Sequence, residues 1–86
     1  MKEETFYLKL GQALDQIASL LSSRDTSFAT CGPSFAITLD NDDSVKSIKE
    51  EVDDIVKDTF ECKKASKYRK YNYHANKLYL QFKRHI

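Results

Sequence analysis

Between Glu4 and Ser23 the apolar positions Phe6, Leu10, Leu14, Ile17 and Leu21 recur at steps of four, four, three and four, and Ala13, Ala18 and Leu20 widen the stripe. That spacing predicts an amphipathic helix over residues 4–23, and Glu3 and Glu4 suit the positive end of its dipole. Gly11 weakens it by about 1 kcal/mol relative to alanine. A rival assignment makes Thr5–Leu10 a strand and begins the helix at Gly11, but the unbroken stripe favours one helix. From Ser22 to Pro33 no period is visible and the run ends in Gly32-Pro33, which predicts a loop.

Phe35, Ile37 and Leu39 then alternate with Ala36 and Thr38, as a strand with one buried face requires. Asn41, Asp42, Asp43 and Ser44 supply N-cap side chains. Behind them Val45, Ile48, Val52, Ile55, Val56 and Thr59 share one side of a second helix that ends near Phe60–Cys62. The last segment contains two strand-like runs, Lys67–Tyr73 and Leu78–Lys83, joined by His74, Ala75, Asn76 and Lys77. Pairing Tyr73 with Leu78, Tyr71 with Leu80 and Arg69 with Phe82 gathers the apolar side chains on one face, and a one-residue slip would scatter them. The opposite face then carries Tyr68, Lys70, Asn72, His74, Lys77, Tyr79, Gln81 and Lys83.

These elements predict an α+β fold of order α-β-α-β-β, with two helices on one face of a three-stranded antiparallel sheet that includes a C-terminal β-hairpin. The pattern leaves strand order open. Eighty-six residues suit one small domain over 1–86, with no repeat, low-complexity stretch or flexible linker. No apolar run is long enough to span a membrane, and the N-terminus lacks a secretory pattern, so a cytoplasmic chain is expected. In that compartment Cys31 and Cys62 read as free, reduced, partly buried thiols.

Charge changes the picture most. Residues 1–62 hold all thirteen acids against six Lys/Arg, a net of −7, whereas residues 63–86 hold eight Lys/Arg and no acid, a net of +8. Two explanations compete. The acidic and basic parts can attract each other inside one small domain, or each can face a partner.

The exposed hairpin face interleaves Tyr68 and Tyr79 with Lys70, Lys77 and Lys83. Cations neutralise phosphates and tyrosine rings stack on bases, so the face suits nucleic acid or an acidic protein surface. Tyrosine and lysine are also ordinary on a solvated antiparallel face. The second helix carries an acidic ridge that includes Glu50, Asp54 and Asp58, able to enter a basic groove on a larger protein or simply to be solvated.

Glu61-Cys62-Lys63 with Asp40 resembles the carboxylate and lysine set of metal-dependent nucleases only weakly, because Glu61 falls at a helix end. His74 and His85 have no acid or cysteine near them in sequence. No phosphate-binding glycine loop, metal-ligand spacing or cofactor motif is present. The expected function is a non-enzymatic binding module without cofactor or metal, docking the basic hairpin on nucleic acid or an acidic protein surface. The alternative is a small inhibitor or regulator of the kind viruses and mobile elements encode, acting through the acidic helix. Opposite charges on one chain also predict weak, salt-sensitive homodimers.

Overall fold

A computed structural model describes residues 2–84, and His85 lies outside them. Helix α1 spans Glu3–Ser23 and buries Phe6, Leu10, Ala13, Ile17 and Leu21, the stripe read from the sequence. Gly11 sits inside it on the exposed side with open space around its Cα, so the helix tolerates it and the strand alternative falls. Helix α2 spans Asp42–Phe60 and buries Val45, Ile48, Val52, Val56 and Phe60. The Asn41 side chain caps it by accepting from the Ser44 N–H at 2.8 Å.

A left-handed residue other than glycine follows each helix, Asp25 two residues beyond α1 and Glu61 directly after α2. Asp25 and Glu61 each adopt φ 53°. The following N–H groups of Thr26 and Cys62 bond back to the carbonyls of Leu21 and Lys57, at 2.9 and 3.0 Å, which satisfies otherwise orphaned acceptors.

The sheet has four strands, one more than the sequence pattern predicts. The segment expected as a loop contains β1, Phe28–Cys31, which forms a hairpin with β2, Ser34–Thr38. Gly32-Pro33 is the two-residue turn between them. Gly32 takes φ 55° and proline fixes the negative φ after it, so the pair that looked like a breaker is the turn itself.

Strands β3, Arg69–His74, and β4, Lys77–Phe82, form the C-terminal hairpin in the predicted register, with Tyr73 opposite Leu78, Tyr71 opposite Leu80 and Arg69 opposite Phe82. Its turn is tighter than expected. His74 pairs with Lys77, leaving only Ala75 and Asn76, both at positive φ, as central residues. The sheet order is β1-β2-β4-β3, all antiparallel.

Both helices cover one face of this sheet. Phe35, Ile37, Leu78, Leu80 and Phe82 point into the core with the two helical stripes. The helices run antiparallel and ion pairs link them: Lys9 of α1 meets Glu61 at the end of α2 at 2.8 Å, and Arg24 behind α1 meets Glu51 at 2.5 Å and the Ser47 hydroxyl at 3.0 Å. Lys9 therefore holds the Glu61 carboxyl below its ordinary range. No described helix is long and apolar enough to cross a membrane.

Candidate nucleic-acid interface

Strand alternation turns every second side chain away from the helices, and the pairing registers sort those side chains into three rows across the sheet. One row runs Cys31, Ser34, Gln81, Lys70; the next runs Ala29, Ala36, Tyr79, Asn72; the third runs Thr38, Lys77, His74. Tyr79 stands on an interior strand at the middle of this open face and is 42% exposed. Small side chains adjoin it on the β2 side, so little protein rises above one flank of its ring. Lys77 and Gln81 are its same-face neighbours along β4.

Among the described residues, no strand contains an aspartate or glutamate. The acids lie on helices and loops, whereas the open sheet face carries Lys70, Lys77 and Lys83 and no acid among the described residues. Ion pairing absorbs little of this charge. Arg69 pairs with Asp53 and Arg84 pairs with Glu3, but Lys70, Lys77 and Lys83 pair with no acid among the described residues. Internal attraction between the acidic and basic parts thus neutralises arginines and leaves these lysines open.

Asp53 is the anchor that holds β3 in place. Its carboxylate accepts from Arg69 Nε and Nη2, each at 2.8 Å, and from the Tyr71 hydroxyl at 2.8 Å. The Arg69 guanidinium also lies 4.2 Å from the Tyr71 ring centroid. The side chains of Arg69 and Asp53 are only 17% and 25% exposed. Burial disfavours the charged guanidinium, yet the Asp53 carboxylate outweighs it and raises the Arg69 pKa. Burial, together with the hydrogen bond and charge of Asp53, pushes the Tyr71 phenol well above its ordinary value.

Two outcomes follow from this network. Asp53→Ala leaves a half-buried guanidinium without its carboxylate and is expected to cost about 1.5–3 kcal/mol in urea unfolding. The second concerns alkaline pH. A phenol whose folded pKa is raised stabilises the fold fully below its unfolded value of 10.0, and that stability is lost as pH climbs above it. The unfolding midpoint of the parent should therefore fall more steeply between about pH 10 and 11 than that of Tyr71→Phe. Equal slopes would show that the phenol is not held neutral.

Of the sequence-predicted face, Lys70, Lys77, Tyr79 and Lys83 lie exposed as expected. Lys83 continues the β4 alternation, its N–H donating to the Tyr68 carbonyl at 2.9 Å. Tyr68 does not share that face. A 3₁₀ turn, Ala65–Lys67, immediately precedes it, and Tyr68 caps the turn at φ −121°, ψ −4°, so the strand period has not begun there. Its ring turns inward, is 7% exposed and stacks on Phe60 with centroids 4.5 Å apart. Tyr73, expected against the helices, remains 36% exposed because β3 is the sheet's outer strand.

The chain matches no family model, no curated protein and no solved structure.

On the helical side, Glu50, Asp54 and Asp58 are all exposed on α2. Lys57 lies 3.8 Å from Asp54, a loose contact that leaves the ridge negative. A cleft of about 540 Å³ opens where α1, β2 and α2 converge, lined by Arg24, Asp25, Asp40, Asp43, Ser44 and Ser47 among others. Its one arginine is already engaged by Glu51 and Ser47. Asp40 and Glu61 of the nuclease-like pattern separate in role, Asp40 lying in the loop before α2 and Glu61 capping its far end.

Cys31 and Cys62 are both free; Cys31 is exposed on the open face rather than partly buried. The small-residue half of that face, Ala29, Cys31, Ser34, Ala36 and Thr38, is not legible as a site in the sequence, because the β1 segment has no strong strand period. A local signal does exist: Gly-Pro flanked by two short runs rich in aromatic and β-branched residues.

Proposed function

We propose that this protein is a non-enzymatic binding module that takes single-stranded nucleic acid on the open face of its sheet. The observation that carries this reading is Tyr79, exposed at the centre of an acid-free face whose lysines have no ion-pair partner among the described residues. Unpaired lysines release counterions when they meet phosphates, and a phenol ring flanked by small side chains offers a base a surface to stack on. A single strand presents both backbone and bases to such a platform, whereas a duplex hides its base faces. Asn72, Gln81 and His74 add hydrogen-bonding groups beside the ring.

Fluorescence anisotropy with labelled single-stranded and duplex oligonucleotides tests this directly. Single strands should bind more tightly, with an affinity that falls as salt rises and a log–log slope of about −2 for three phosphate contacts. Absence of binding at about 50 mM salt removes the proposal. In that case the exposed ridge of Glu50, Asp54 and Asp58 becomes the leading surface, with a basic protein groove as its target.

A further inference from the structure

The strand order leaves two edges, β1 and β3, and they differ in kind. Edge β3 carries Arg69, Lys70 and His74, the charged side chains with which proteins discourage edge pairing. Edge β1, Phe28-Ala29-Thr30-Cys31, has no charge, no proline and no residue outside the regular register with β2. Its hydrogen-bonding parity is fixed by that hairpin. The Thr38 N–H donates to the Ser27 carbonyl at 2.9 Å, so Ser27, Ala29 and Cys31 direct their backbone groups toward β2. The intervening residues, Phe28 and Thr30, direct theirs outward.

We infer that β1 is the interface of a two-fold dimer, in which the edges of two copies pair antiparallel about Ala29. That register matches the parity. Phe28 of each copy lies opposite Thr30 of the other, and each pair exchanges both of its outward hydrogen bonds. Ala29 faces its own equivalent on the axis in a non-hydrogen-bonded position, where Cα atoms approach to about 4.5 Å and a methyl group fits. A shift by one residue would aim backbone groups already used by β2 at the new strand.

Charge and closure favour a second copy over other strands. The lysines of the open face lie on β3 and β4 or just beyond β4, and the β4 strands of the two copies are separated by about 24 Å, well beyond the screening length of about 8 Å at physiological salt. The axis itself passes through uncharged residues. Pairing consumes both β1 edges and leaves only the charged β3 edges, so assembly stops at two. Because paired side chains share a face, both Tyr79 rings end on the same side of the joined sheet. Their use by one nucleic-acid strand rests on the proposed function; the pairing does not.

Sedimentation of the full chain from about 5 to 200 µM, at low and high salt, tests the dimer. The mass should rise with concentration toward twice 10.0 kDa and do so equally at both ionic strengths, because the contact is made by backbone groups and uncharged side chains. A monomer throughout overturns the inference, and a dimer seen only at low salt replaces it with charge-driven association. Thr30→Pro removes an outward N–H that the monomer does not use, so it should fold and remain monomeric. If it does not fold, Ala29→Lys places like charges across the axis from a position exposed in the single copy, and should be monomeric too. A dimer that persists in the folded variant moves the interface elsewhere. The register has its own check: with Cys31 and Cys62 changed to serine, Ala29→Cys should oxidise to a cross-linked dimer and Thr30→Cys should not.

Discussion

Replacing Tyr79 with alanine is expected to weaken single-stranded oligonucleotide binding by about 1–3 kcal/mol, roughly 5- to 150-fold, while leaving the melting temperature nearly unchanged. The ring is exposed on the face away from the core, so its removal opens no cavity. Stacking involves no ionic contact, and the loss should be the same at every salt concentration. The lysines should behave in the opposite way. Changing Lys70, Lys77 and Lys83 together to glutamine should lower affinity most at low salt and reduce the log–log slope by about 2, bringing it close to zero. These signatures separate the two kinds of contact. If every variant binds as the parent does, the open face is not the site.

Tyr68→Ala should instead unfold the protein more easily, by about 3–5 kcal/mol. Its ring stacks on Phe60 and lies 6.4 Å from that of Phe6, while Phe60 is 6.2 Å from Phe82. Removing it takes a side chain from the point where both helices and β4 meet. Against a total stability of about 4–13 kcal/mol for a domain of this size, the loss is large. A thermal melt should shift down by at least about 12 °C. Any loss of nucleic-acid binding by this variant should follow its unfolding and not precede it. An unchanged melt with lost binding would return Tyr68 to the exposed face where strand alternation alone would put it.

The contrast between these two tyrosines shows how much of the site was legible. Tyr79 sits inside a run whose alternation, Leu78-Tyr79-Leu80-Gln81-Phe82, fixes its direction whatever the rest of the protein does. Tyr68 stands one residue before the strand period starts, and a single 3₁₀ turn reverses its orientation. The same distinction applies to β1. Four residues with only one half-buried side chain give no strong period, and the strand exists because Gly32-Pro33 returns the chain alongside β2.

Local pattern by itself determined the two helices, their buried stripes, the Asn41 cap region and the register of the C-terminal hairpin, because each depends on residues close together in the chain. It also determined that the hairpin segment would be basic and the remainder acidic. Only the tertiary structure decided that β4 lies between β2 and β3, that a fourth strand completes the sheet, and that Asp53 neutralises Arg69 while the lysines of the open face meet no acid among the described residues. Those outcomes depend on which distant segments meet, and pairing partners far apart in sequence leave no periodic trace in either segment.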